Sequence, residues 1–328
     1  MLALTWGSSF FFIKVSLAGL TPQQLVLGRL ALGAITLNVI LAVTRKRWPK
    51  DLRLIGHLGI VAFLLCVLPL LLFAWAGQYI PSGLSSIYNA TTPLMTMAIG
   101  LALLPAERLG PMRSLGTVVG AVGILIVLAP WRLFGQLNEL SGTALPQLAC
   151  LLGTASYGLA LTHMRRYVSG KHHHDASTIA AVQVTLAAAM MLLITPFLAP
   201  EPVRLKPSVV LALTVLGVLA SGVAYIWSTI IVERWGATPA STVTYISPLV
   251  GVALGTVVLG EHLFWNQPLG ALVVVLGILL SQGIASSKKE EKENNVIQID
   301  RSEQLRNHSN RGGDGHQRGH YRIETRRD

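Results

Sequence analysis

Long apolar runs separated by short polar breaks recur along most of the chain, and a ruler of about 20 apolar residues per membrane crossing finds ten of them. They fall at residues 1–20, 26–44, 56–77, 84–104, 114–130, 146–164, 178–198, 208–231, 239–260 and 268–285. Turn residues stand between them at Thr21-Pro22, Trp48-Pro49-Lys50, Ile80-Pro81-Ser82-Gly83, Ala199-Pro200 and Gly236-Ala237-Thr238-Pro239. The pattern predicts an all-α integral membrane protein. Met1–Leu20 reads as the first span and not as a cleavable signal, because it lacks a basic leading region and carries Lys14 within the run. Residues 286–328 break the pattern: they hold few large apolar side chains, and the polar, glycine-rich stretch from Arg311 to His320 predicts a disordered tail.

Composition agrees, with 52% hydrophobic and 12% charged residues against roughly a quarter charged in soluble proteins. The net charge of +11 would raise nucleic acid for a soluble domain, but its distribution says otherwise. Ten of the 26 Lys and Arg follow Ser287, and most others sit in the short connections. With the N-terminus placed in the cytoplasm, the inside connections hold eleven basic residues and the outside ones three, Arg132, Arg204 and Lys206. Short cytoplasmic loops are enriched in Lys and Arg, so both termini are expected inside and no nucleic acid is expected. Cys66 and Cys150 lack metal or disulfide spacing and read as small buried hydrophobes. His172-His173-His174 with Asp175 reads as a solvated loop, since three consecutive side chains cannot all face one ion. Neither a metal site nor a cofactor is expected.

The chain also matches itself. A shift of 154 residues pairs Glu107 with Glu261, Gly116 with Gly270, and Gly123-Ile124-Leu125 with Gly277-Ile278-Leu279. A shift of 155 pairs Ser86 with Ser241, Pro93-Leu94 with Pro248-Leu249, and Gly100 with Gly255. Two copies of a five-helix unit follow, 1–130 and 131–285, with 286–328 as a cytoplasmic tail. An odd number of spans per copy turns the second copy upside down, the plan of many secondary transporters, whose sites lie near the midplane between the copies.

These residues resemble the EamA-domain branch of the drug/metabolite transporter superfamily. The resemblance rests on Trp6-Gly7-Ser8-Ser9 with Lys14, on Arg29-Leu30, and on the paired segments from Ala90 to Leu109 and from Tyr245 to Leu263. It covers residues 1 to about 285 and implies ten spans and transport of a small solute across a plasma membrane, the inner membrane in a bacterium. The second copy departs from the first, with Tyr157-Gly158 in place of Trp6-Gly7 and Gln183 near the place of Arg29.

Among single residues, Lys14 lies well inside a span, where an unpaired charge costs at least ~2.5 kcal/mol. Two readings stay open: an anchor for a substrate carboxylate or phosphate, or a lysine that snorkels or pairs with helix-end carbonyls. Arg29 falls in the outer turn of helix two, a position that favours structural anchoring. Helices four and nine carry the richest polar strings and an equivalent proline each, Pro93 and Pro248; proline frees backbone carbonyls that neighbours or a wet cavity must satisfy. Tyr88, Asn89, Thr244 and Tyr245 in these helices are candidate substrate contacts, and packing through small hydroxyl residues competes for the rest. Trp6 and Tyr225 are candidate cavity walls with Trp75 and Trp227, although such residues also collect at membrane interfaces. Glu107 and Glu261, at span ends, read as caps or loop ties and not as ion-coupling groups, and Gly7 reads as a structural, helix-breaking position. His57 and His163 read as interfacial.

No Asp or Glu lies inside any predicted span, which disfavours proton-exchanging efflux of cations. A membrane enzyme would need a nucleophile with its base, paired carboxylates or a metal cluster, and none is legible; a scaffold has no need of inverted duplication. The reading is therefore a carrier for amphipathic metabolites, amino acids among them, with lipid and a small solute as partners. Nothing in the sequence signals an oligomeric state, a coupling ion or a direction.

Overall fold

Thr21 shows how the chain opens a membrane helix. Its hydroxyl accepts from Gln24 N at 3.2 Å while its own N–H donates to Gln24 Oε1 at 3.1 Å, a reciprocal cap that satisfies two orphan donors. Helix two thus begins at Pro22, four residues before the hydropathy run suggests. The computed structural model describes residues 1–103, 111–129, 140–169, 171, 174–199, 201–227 and 237–282.

The described residues form ten helical spans. The first five are α1 (Leu2–Ser16), α2 (Pro22–Val43), α3 (Leu52–Ala76), α4 (Ser82–Asn89 continued by Thr92–Leu103) and α5 (Pro111–Leu128). The second five are α6 (Leu140–Tyr167), α7 (Ala176–Leu198), α8 (Pro207–Trp227), α9 (Ala237–Leu259) and α10 (Asn266–Gln282). Five of them, α2, α3, α6, α7 and α8, are long and apolar enough to cross a bilayer by those criteria alone. Side chains such as Leu193, Phe197 and Val257 stand more than 70% exposed, an apolar surface that lipid rather than water suits.

The main contacts between the two halves come in mirrored pairs. α1 packs on α8 and α9, and its counterpart α6 packs on α3 and α4; α2 packs on α8, and α7 packs on α3. The pairs α2–α7, α4–α9 and α5–α10 join each helix to its own counterpart. Exchanging the halves leaves this pattern unchanged, so the fold is two five-helix repeats of inverted topology.

Small residues set the closest approach. A Cβ on Gly277 would come within 2.7 Å of Gly120 and Gly116 backbone atoms, and Gly116 and Gly123 face α10 in the same way. Close backbone contact of this kind holds helices together where lipid offers no hydrophobic drive. Gly7 of α1 does the same against Ser247 and Val250 of α9, and Gly158 of α6 against Met95 and Thr96 of α4.

The two ends of the bundle differ. At the end carrying residues 44–51 and Val168, Ser169, His174 and Asp175, here called the basic end, Lys46 pairs with Asp175 at 2.8 Å and His57 Nδ1 lies 3.2 Å from His163 Nε2. At the far end, Glu261 accepts from Ser82 N, Ser82 Oγ and Gly83 N at 2.8–3.3 Å, which places a carboxylate on the positive N-terminus of α4. Arg204 N donates to Gly19 O at 2.9 Å there, a second tie between the repeats.

Candidate functional site

Each repeat interrupts its third helix with a wider turn, at Phe63–Val67 in α3 and at Val215–Val223 in α8. A π-type turn inserts a residue and leaves carbonyls short of intrahelical donors. In α3 the cause is Pro69, which lacks an N–H and whose ring pushes against the carbonyl four residues back. In α8 no proline intervenes; Gly217 and Gly222 let α2 approach through Leu32 and Thr36. The first helix of the opposite repeat supplies the missing donors: Ser156 Oγ donates to Leu64 O at 2.6 Å, and Trp6 Nε1 donates to Ala220 O at 3.2 Å.

The same turns hold a matched pair of polar contacts. Arg29 Nε of α2 donates to Ser221 Oγ at 2.9 Å, and Gln183 Nε2 of α7 donates to Cys66 Sγ at 3.3 Å. A shift of 154 carries Arg29 onto Gln183 and one of 155 carries Cys66 onto Ser221. One bond is built twice, with a cation in one copy and a neutral amide in the other.

Between the repeats lies a cavity of about 750 Å³, the size of a small-molecule site. Trp6, Phe10, Phe73, Tyr157 and Tyr225 give it aromatic walls, while Arg29, Cys66, Asn89, Ser221 and Ser247 give it polar groups; Pro93 and Pro248 both border it. The aromatics touch one another, Phe10 with Phe73 at 5.4 Å between ring centres and Trp6 with Tyr225 at 6.4 Å. The lining continues along α4 to Gly100 and along α6 to the exposed Arg165, so the cavity reaches the basic end.

Trp6, Asn89, Tyr225, Pro93 and Pro248 from the sequence reading thus meet around one space. Lys14 and Tyr88 are not among its lining residues. The Lys14 ammonium donates to Gly77 O at 2.7 Å and Ile80 O at 3.1 Å, carbonyls that the end of α3 leaves free and that a cation suits. Tyr88, 1% exposed, donates its hydroxyl to Gln147 Oε1 at 2.6 Å and so ties α4 to α6. Glu107 and the side chains of Thr244 and Tyr245 lie outside the described residues, as do His172 and His173.

Arg29 stands elsewhere than the hydropathy run places it. With α2 starting at Pro22, it lies two turns inside the helix, about 10 Å along the axis, and it is 8% exposed. Its match to Gln183 was the signal in the sequence. Tyr157, Phe10, Phe73 and Cys66 also line the space, and apolar runs alone do not mark them. In α4, Pro93 leaves Asn89 O without its helical donor, and Thr92 Oγ1 fills the gap at 2.7 Å; the helix breaks there, beside the cavity.

Known proteins share this plan. The profile of the EamA-like transporter family matches residues 1–129 and again 145–282. The "Uncharacterized inner membrane transporter YedA" of Escherichia coli (strain K12) is 24% identical over 281 residues, covering 85% of this chain and 87% of its own. The "Uncharacterized transporter YdfC" of Bacillus subtilis (strain 168) is 24% identical over 83% of this chain and 86% of its own. A "Probable amino-acid metabolite efflux pump" of Salmonella typhimurium is 26% identical over 86% of this chain and 92% of its own. A solved crystal structure superposes with a TM-score of 0.60 at 17% identity, over 86% of this chain and 98% of that one, a likeness of fold. With both repeats matched by the family profile and the inverted fold in place, the chain belongs to the EamA-like transporter family.

Proposed function

We propose that the protein is a secondary transporter that carries small organic metabolites, amino acids or related solutes, through the cavity by alternating access. The observation that supports this most is the position of the cavity: it lies between two mirrored halves and reaches the basic end, while the far end is tied by hydrogen bonds of Lys14, Glu261 and Arg204, none of which lines it. Exchange of conformations between the halves would open the far end and close the basic one. The relative called an amino-acid metabolite efflux pump supports organic solutes of this size and export as the direction. The eleven-to-three bias of basic residues supports both termini in the cytoplasm, and the relative called an inner membrane transporter supports the plasma membrane of a bacterium. Residues 1–130 and 131–285 act as the two halves, and 286–328 as a tail. The transporter names of the family and of its relatives support a carrier over a membrane enzyme.

The test fills the cavity. Thr96 lines it on α4, and Thr96→Trp should abolish release of a mixed metabolite pool from proteoliposomes while insertion and folding persist. Transport at the unsubstituted rate by a folded Thr96→Trp variant would place the pathway elsewhere.

A further inference from the structure

We propose that the solute is an organic carboxylate with an apolar, preferably aromatic, body, and that Arg29 is the residue that binds its carboxylate. The proposal rests on the transporter reading above and deepens it.

Three observations carry it. First, Arg29 is a permanent cation, more than nine-tenths buried and bordering the mid-bundle cavity. Second, among the described residues no carboxylate balances it: no Asp or Glu lies in any predicted span, and none of the described ones lines the cavity. Its hydrogen bond goes from Nε to the neutral Ser221 hydroxyl. The two terminal nitrogens keep the fork that fits the two oxygens of a carboxylate. Third, the other repeat shows what the fold itself requires at this position. Gln183 makes the equivalent bond to Cys66 without any charge, so the contact between helices needs a donor and not a cation. A cation costs more than an amide to bury, and the excess is recovered when an anionic solute enters.

The charge count sets the class. Arg165, the other cation on the lining, stands eight residues further along α6 than Tyr157, about 12 Å by helical rise. A phosphate dianion beside Arg29 would keep one charge uncompensated, whereas one carboxylate is neutralised. Phe10, Phe73, Tyr157 and Tyr225 line the same cavity and give an apolar body aromatic surface to pack against. An ammonium has only neutral acceptors here and is not the feature recognised.

The experiment uses the full chain in proteoliposomes loaded with matched acids, amides and amines on several carbon skeletons. N-acetylphenylalanine, N-acetylphenylalaninamide and phenylalaninamide form one set. Release is read by mass spectrometry and corrected with protein-free liposomes. The acid should leave at least about thirtyfold faster than its amide, the lower end of what losing one partner of a buried charge pair costs. Arg29→Gln should bring the ratio of acid release to amide release down to about one. Arg29→Lys, which keeps the charge and loses the fork, should fall between. Because glutamine already fills the equivalent position, Arg29→Gln should fold, and matched elution and melting temperature check that it does. Equal release of acid and amide, or an acid preference that survives in Arg29→Gln, overturns the carboxylate assignment and leaves the transporter reading standing. No release of any solute overturns both.

Discussion

The first and second repeats share a skeleton and differ in what they hang on it. Both place a wide turn in their third helix, both satisfy its carbonyls from the first helix of the opposite repeat, and both tie it to the second helix of the opposite repeat with one polar bond. In the first repeat the donor is Arg29, in the second Gln183. Features present in both copies belong to the fold, because inverted halves must pack on each other in two equivalent ways. A feature present in one copy is released from that demand. The guanidinium, the Lys14 cap and the Tyr88–Gln147 bond between the repeats are of this second kind, yet they differ again: Lys14 and Tyr88 turn to protein partners away from the cavity, while Arg29, bonded through Nε to Ser221, borders it.

The comparison predicts the most severe effect where the copies are most alike. Gly277→Leu should drive a side chain into Gly116 and Gly120 across the α5–α10 contact, at a cost of about 3 kcal/mol or more. Little folded protein should elute in detergent. Gly56→Ala, where a Cβ meets nothing within 4 Å, should be neutral or raise stability by up to ~1 kcal/mol. A Gly277→Leu protein that melts at the unsubstituted temperature would show that the two copies do not meet through these residues.

Glu261→Ala comes next. It removes the carboxylate that accepts from Ser82 N, Ser82 Oγ and Gly83 N; a buried hydrogen bond to a charged group contributes about 1.5–3 kcal/mol net of its exchange with water. With part of the site open to solvent, a net loss of roughly 2 kcal/mol is expected, read as a lower melting temperature. An unchanged melting temperature would mean that this tie is not formed in the membrane.

A smaller effect separates the cations. Lys14→Met loses two hydrogen bonds to the carbonyls of Gly77 and Ile80 and should cost about 1–2 kcal/mol of stability. The preference for acids over amides should survive, in contrast to Arg29→Gln. Loss of that preference at matched protein level would return Lys14 to the solute.

Much of this architecture is legible from residues alone, for physical reasons. Ten apolar runs and a self-match at 154 and 155 residues follow from the thickness of a bilayer and from duplication, and both leave marks in the order of residues. The side a residue faces is another matter. The strings around Tyr88 and Thr91 mark α4 as polar, but Tyr88 turns to Gln147 and Thr91 to Thr154, whereas Asn89 borders the cavity. The target of Lys14 lies 63 residues along the chain and depends on how α3 ends. The wide turns leave no hydropathy trace, since an inserted residue within an apolar run is one more apolar residue. Arg29 was misplaced by the same property: the run starts at 26, while the cap at Thr21 starts the helix earlier.

The central claim is that two mirrored halves alternate around one cavity, and distances at the two ends test it most directly. Spin labels at Tyr79 and Trp265, both exposed at the far end, report one side; labels at Leu103 and Arg166, exposed at the basic end, report the other. In nanodiscs, saturation with a transported solute should redistribute both pairs in opposite senses, the far-end distance lengthening in the fraction of molecules whose basic-end distance shortens. Two distributions that stay fixed, or that lengthen together, while the same labelled protein transports would contradict the account.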